Sequence, residues 1–208
     1  MSAVYDDLAA HNVYDRGMWP LERLALARLR RRLFPQARGR VLELGVGTGV
    51  NLPLYPRGAQ VIATDASAEM LRAARRRPTR ATIRWSLTDA QALPFPDASF
   101  DCVTASLLFC SVSDPLAAGR EMRRVLRPAG RLLLLEHVRG PAPLMAWLTD
   151  LLNIPWYAWN RVCHLNRETA RTVTAAGFVI QRVQRHAFGV FECMEAVPAV
   201  LPAEGGAG

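Results

Sequence analysis

The sequence predicts an α/β fold: a mostly parallel sheet with helices on both faces. Two observations lead there. Short apolar segments alternate with helix-period segments, an order that calls for parallel pairing. A glycine turn, Gly45-Val-Gly-Thr-Gly49, follows the first apolar segment directly, at the sheet edge where such folds bind ligands. The length agrees, because 208 residues make one domain of ordinary size with a proper core.

The elements follow in order. The first 37 residues read as helix, with Leu21, Leu24, Leu29 and Leu33 at helical spacing and Pro20 near a start. They make an N-terminal helical lid (1–37) ahead of the main domain (38–200). Residues 40–44, 60–64 and 82–86 read as the first three strands, with a helix over 68–77 that stops at Pro78. Residues 100–108 form a fourth strand, apolar on both faces. A helix over 116–126 closes at Pro128 and Gly130, and 131–137, with four consecutive leucines, is the fifth strand. An apolar insertion spans about 141–165, and within it 144–163 is a tryptophan-rich helical region broken by Pro155. A helix over 167–176 ends at Gly177, and 178–185 and 191–197 form an antiparallel terminal pair. The tail 201–208 reads as flexible.

Composition narrows the class. Hydrophobic residues make up 50% and charged residues 21%, which excludes a disordered chain. No apolar run reaches the roughly 18 residues that span a bilayer, and the N-terminus carries no secretory pattern. Cys102, Cys110, Cys163 and Cys193 form no CxxC pair and have no histidine at zinc-like sequence spacing. They read as packing thiols, with no metal expected and a reducing, cytoplasmic location. The net charge is +8, and all 26 basic residues are arginine. That charge invites a nucleic-acid or anionic-membrane partner.

The chemistry is read from Glu43-Leu-Gly-Val-Gly-Thr-Gly49. Glycine lets the backbone turn tightly and lets a ligand approach without a Cβ. The spacing is GxGxG with no GK[ST], so a Walker-type phosphate loop is not indicated. Asp65 ends the second strand, where a carboxylate can accept both hydroxyls of a ribose or, alternatively, cap the helix that begins near Ser67. Asp89-Ala90 follows the third strand. There an aspartate can accept from an adenine amino group while the next N–H reads a ring nitrogen; an ordinary loop aspartate is the alternative.

These segments, with Asp89-Ala-Gln-Ala-Leu-Pro-Phe-Pro-Asp-Ala-Ser-Phe-Asp101 and Arg124-Val-Leu-Arg-Pro-Ala-Gly-Arg131, resemble the class I S-adenosylmethionine-dependent methyltransferases, small-molecule branch. The resemblance covers about 40–186. It implies a Rossmann-like, seven-stranded sheet with the last strand antiparallel. It implies S-adenosyl-L-methionine as cofactor and S-adenosyl-L-homocysteine as product. Gly45, Val46 and Gly47 would pass close to the methionine part, and Glu43 would hold its amino group. Asp65 would take the ribose, Ala66 and Met70 would line the adenine, and Asp89 with Ala90 would read its edge. Ser106 joins this set, and Tyr14 could close over the cofactor or simply pack. Ala129 stands where the family usually has glycine. Leu108-Phe-Cys-Ser-Val112, Glu136-His-Val138 and Cys163-His-Leu-Asn-Arg-Glu-Thr169 look like the thiol methyltransferase-like group and bacterial phospholipid N-methyltransferases; the branch also holds quinone C-methyltransferases.

Methyl transfer from a sulfonium needs alignment more than activation. His137, ending the fifth strand, is the candidate acid–base residue; the alternative is a hydrogen-bonded core histidine. Trp19 could cover one side of the site and Leu144, Trp147, Leu151, Trp156, Tyr157 and Trp159 the other, as core, pocket wall or membrane contact. A small, lipophilic acceptor is expected. A nucleic-acid methyltransferase is the competing class. Against it, Ser106-Leu-Leu-Phe-Cys110 lacks both the Pro-Pro signature of adenine enzymes and the Pro-Cys of cytosine enzymes. A non-catalytic cofactor-binding subunit is the third class. Arg28-Leu-Arg-Arg-Arg32 and Arg75-Arg-Arg77 read as solvated helix faces or as contacts with anionic lipid.

Overall fold

The computed structural model describes residues 15–16, 19–20, 22–160 and 162–199. Seven strands form one sheet: β1 (Arg40–Leu44), β2 (Gln60–Asp65), β3 (Thr82–Leu87), β4 (Phe100–Ser106), β5 (Leu126–His137), β6 (Phe178–His186) and β7 (Phe191–Pro198). Their order is β3-β2-β1-β4-β5-β7-β6. The β1, β2, β3, β4 and β5 pairings are parallel, and β7 runs antiparallel between β5 and β6. The expected topology is therefore present. The chain leaves β1 toward β2 and later returns to β4 on its other side, so the switch point lies between β1 and β4.

Alternation along the strands feeds two cores. Leu42 and Leu44 of β1, Val103 of β4 and Leu132 and Leu134 of β5 pack on one face with α3 (Pro115–Val125) and α5 (Thr169–Ala175). Val41, Cys102, Leu133 and Leu135 face the other side, against α1 (Ala27–Leu33) and α2 (Ala68–Ala74). Period-two side-chain alternation in a sheet covered on both faces produces this division. Asp114 starts α3 by accepting the N–H groups of Leu116 and Ala117, both at 2.9 Å.

Several elements differ from expectation. Ahead of β1 the described residues form a π-helical turn (Glu22–Leu26), α1 and a 3-10 turn (Phe34–Gln36) rather than one helix; Pro35 lacks the N–H that would extend α1. β4 stops at Ser106, because Leu107 turns to φ +53°. β5 begins five residues early. Its pairing jumps from Phe100↔Leu126 to Cys102↔Arg131, so 127–130, including the exposed Ala129, bulge out. α4 (Pro143–Asn160) runs through Pro155 instead of breaking there. Proline removes one backbone donor, and the remaining bonds carry the helix past it. Tyr14, the tail 201–208 and the side chain of Trp159 lie outside the described residues. Among the described residues no helix is long and apolar enough to cross a membrane.

Candidate functional site

The site is built on the turn after β1. Gly45 and Gly47 adopt φ +63° and +55°, a region that favours glycine. A Cβ on Gly45 would meet Leu108 Cδ1 at 2.8 Å, whereas one on Gly47 would project into open space. Gly45 thus allows the close approach of the facing wall, and Gly47 leaves room for a ligand. β2 braces the turn. Val46 N–H donates to the Thr64 carbonyl at 2.9 Å, and Gly47 N–H donates to Asp65 Oδ2 at 2.8 Å. Asp65 Oδ1 accepts the Ser67 N–H at 2.9 Å. The capping role goes to Ser67, whose Oγ accepts the Met70 N–H at 3.1 Å.

A cavity opens on one side of this turn. Gly45, Gly47, Asp65, Ala66, Met70 and Asp89 line it, and Ala90 and Ser106 complete the part that the sequence anticipates. Asp89 accepts from the N–H of Gln91 at 2.9 Å and from its side-chain amide. A second cavity lies across the turn and shares Gly45, Gly47 and Ser106 with the first. Val46, Arg30, Thr48 and Arg77 wall it. The two cavities offer an elongated ligand room on both sides of one glycine turn.

Glu43 lines neither cavity. It is fully buried, and its Oε1 accepts from Asn51 Nδ2 at 2.8 Å. Asn51 Nδ2 also reaches Ser106 Oγ at 3.0 Å, so Glu43 communicates with the cavity through these side chains. Burial raises the Glu43 carboxyl to about 7, against the opposing effect of Asn51. Arg30 is 4% exposed and donates to Asn51 Oδ1 and Ser106 Oγ, both at 2.7 Å. Arg30 and Asn51 were not singled out by sequence reasoning. Arg30 stands inside an arginine run that marks no member, and Asn51 has no motif of its own.

The opposite wall is the turn after β4. Glu136, fully buried near the end of β5, accepts the N–H groups of Leu108 and Phe109 at 2.9 and 3.2 Å. Leu107, Leu108, Ser111 and Val112 of this turn line the first cavity. His137 does not line it. The His137 Nε2 lies 3.0 Å from Cys163 Sγ. Cys110 and His137 lower the Cys163 thiol, and Cys163 with burial raises that of Cys110. The same turn holds the end of the insertion, since His164 N–H donates to the Cys110 carbonyl at 2.8 Å. Tyr157 of α4 stacks on His164 with ring centroids 4.3 Å apart. α4 presents Leu144, Ile154 and Trp147 at 71, 68 and 59% exposure.

A family model described as a methyltransferase domain matches residues 42–134. The chain is 41% identical over 113 residues to a phosphatidylethanolamine N-methyltransferase of Cereibacter sphaeroides, covering 52% of this chain and 56% of that one. It is 36% identical over 160 residues to a demethylmenaquinone methyltransferase of Clavibacter sepedonicus, covering 73% and 63%. The chain belongs to the class I S-adenosylmethionine-dependent methyltransferases. A thiol S-methyltransferase of Rattus norvegicus is 31% identical over 153 residues, covering 66% of this chain and 59% of that enzyme. The chain thus spans about six-tenths of the length of these curated relatives. A methyltransferase from Haloferax volcanii, solved with the Trm112 methyltransferase activator, superposes with a TM-score of 0.73 at 19% identity, covering 94% of this chain and 98% of that one. S-adenosylmethionine is the cofactor of this family. The cavities suit it: open space at Gly47, a carboxylate at the end of β2 and a guanidinium across the turn are the features an adenosyl amino acid requires.

Proposed function

We propose that the protein transfers a methyl group from S-adenosylmethionine to a small lipophilic acceptor carrying an amine, a thiol or a quinone-precursor carbon. One observation carries this reading. The turn that walls the first cavity also holds the loop that follows an exposed apolar helix, through the His164–Cys110 backbone bond. An acceptor gathered on α4 is thereby linked, through this loop, to the wall of the cofactor seat. The relatives named above, which carry lipid, quinone and thiol methyltransferase names, agree with that acceptor range.

In the seat, Asp65, which lines the cavity at the end of β2, takes the ribose hydroxyls. Ala66 and Met70 cover the adenine, and Asp89 and Ala90 read its edge. Gly45, Val46 and Gly47 pass along the methionine portion, Arg30 offers its charge to the carboxylate, and Glu43 acts on the ammonium through Asn51 and Ser106. The acceptor atom attacks the methyl carbon in line. The bound cofactor would supply the methyl group and leave as S-adenosylhomocysteine, with the acceptor's proton passing to solvent. Exposed apolar residues of α4 rest on a lipid surface, and the exposed Arg28, Arg31 and Arg32 favour an anionic one.

The test is an acceptor screen on the purified chain that follows S-adenosylhomocysteine release. Turnover with an alkyl thiol, a phosphatidylethanolamine vesicle or a demethylated quinone is the expected result. No release from any of the three, with cofactor binding intact, would favour a cofactor-binding subunit. Salt-sensitive methylation of RNA would favour the nucleic-acid reading instead.

A further inference from the structure

Three soft ligands meet behind the cavity wall. Cys110 lies in the turn after β4, His137 ends β5, and Cys163 follows α4. Their ligand atoms all lie within 4.8 Å of one another, with His137 Nε2 3.0 Å from Cys163 Sγ. In a tetrahedral zinc site with Zn–S near 2.3 Å and Zn–N near 2.0 Å, ligand atoms stand about 3.5–3.8 Å apart. The cluster's separations, from 3.0 Å to at most 4.8 Å, bracket that spacing. Cys110 is buried and Cys163 half-buried, and neither forms a disulfide.

The fold pre-sets the cluster from both sides. Glu136 fixes the turn carrying Cys110 through the N–H groups of Leu108 and Phe109. The His164 N–H bond to the Cys110 carbonyl brings the neighbouring Cys163 to that turn. The other ring nitrogen of His137, Nδ1, is buried without a hydrogen-bond partner.

We propose that Cys110, His137 and Cys163 form a zinc site with a fourth, exchangeable position. Two thiolates and an imidazole, with no carboxylate among them, select Zn2+ over Mg2+ or Ca2+. On binding, each thiol releases its proton to solvent and donates a lone pair to the metal, with no change of oxidation state. The ion would tie three segments together: the cavity wall, the end of β5 and the loop that follows the apolar helix. Three protein ligands leave a coordination place for water or for a small thiol. The site goes beyond the methyltransferase reading and does not depend on the identity of the acceptor.

The test uses the full chain, reduced and stripped of metal, titrated with Co2+ and then with Zn2+. One equivalent of Co2+ should bind with thiolate-to-cobalt charge-transfer absorption, and Zn2+ should displace it. Loss of an outer-shell partner already costs 10–100-fold in metal affinity, so Cys110→Ser, His137→Gln and Cys163→Ser should each weaken binding by about 100-fold or more. Cys193→Ser, on β7 and outside the cluster, should leave it unchanged. S-adenosylhomocysteine binding by each variant reports the fold. If Cys110→Ser does not fold, Cys163→Ser, which lies in a loop, carries the comparison. Wild-type affinity no better than that of a Cys163→Ser variant that binds S-adenosylhomocysteine would overturn the proposal. So would a Cys110–Cys163 disulfide in protein purified without reductant, joined with no Co2+ uptake after reduction.

Discussion

Asp65 and Glu136 do the same structural task in two halves of the site, and they differ in what is left over. Each is a carboxylate at the end of a strand that accepts two backbone N–H groups. Asp65 holds Gly47 and Ser67, and Glu136 holds Leu108 and Phe109. Asp65 lines the cavity, while Glu136 is fully buried. A carboxylate has about four lone-pair positions. The carboxylate of Asp65 borders the cavity, whereas that of Glu136 lies in the interior. One carboxylate is therefore placed both to shape the turn and to meet a ligand, and the other only to shape.

Breaking the first half should give the largest effect. Asp65→Ala removes two charge-assisted bonds to a ribose, each worth about 1.5–3 kcal/mol. S-adenosylhomocysteine affinity should fall by roughly 100- to 10,000-fold by calorimetry. Asp65→Asn should also fall well below wild type, because the amide lacks the charge. Affinity within a factor of two or so of wild type would remove the ribose assignment.

The second half should respond the other way. Glu136→Ala strands two amides in the core and should cost about 3 kcal/mol of stability in urea unfolding. Glu136→Gln keeps an acceptor oxygen and discards a buried acid, so it should stay near wild type. If the amide were as damaging as alanine, Glu136 would be acting by charge and the contrast with Asp65 would fail.

The same contrast explains what the sequence shows. The glycine turn, Asp65 and Asp89 sit directly after strands, so local order places them, and the structure gathers them in one cavity. The rest of the site depends on distant meetings. Arg30 reaches Ser106 across 76 residues, and His137 meets Cys163 across 26. No local spacing encodes such contacts, which is why the cysteines read as packing thiols and Arg30 as one charge in a run. Pro155 misleads for a related reason. It disfavours a helix locally, yet α4 supplies enough bonds on either side of it.

Glu43 sharpens the comparison with the smallest effect, because it is a buried acid that holds no turn. Its carboxyl is raised from 4.5 to about 7, chiefly by burial. Between those values the native chain keeps a proton that the unfolded chain has lost. Stability from this group is therefore full below about pH 4.5, falls as pH rises, and levels off above about pH 7. Glu43→Gln removes the titration. Relative to wild type, the variant should gain nothing near pH 4.5 and about 2 kcal/mol above pH 7, less than the full shift because Asn51 loses a charged acceptor. Urea unfolding of both proteins from about pH 4.5 to 8 measures the difference. A gap that stays flat with pH would show that Glu43 is ionised throughout. In that case Arg30 and Asn51 would be holding a permanent negative charge beside the cofactor's ammonium seat, and Glu43 would join Asp65 as a carboxylate with charge to spare for the ligand.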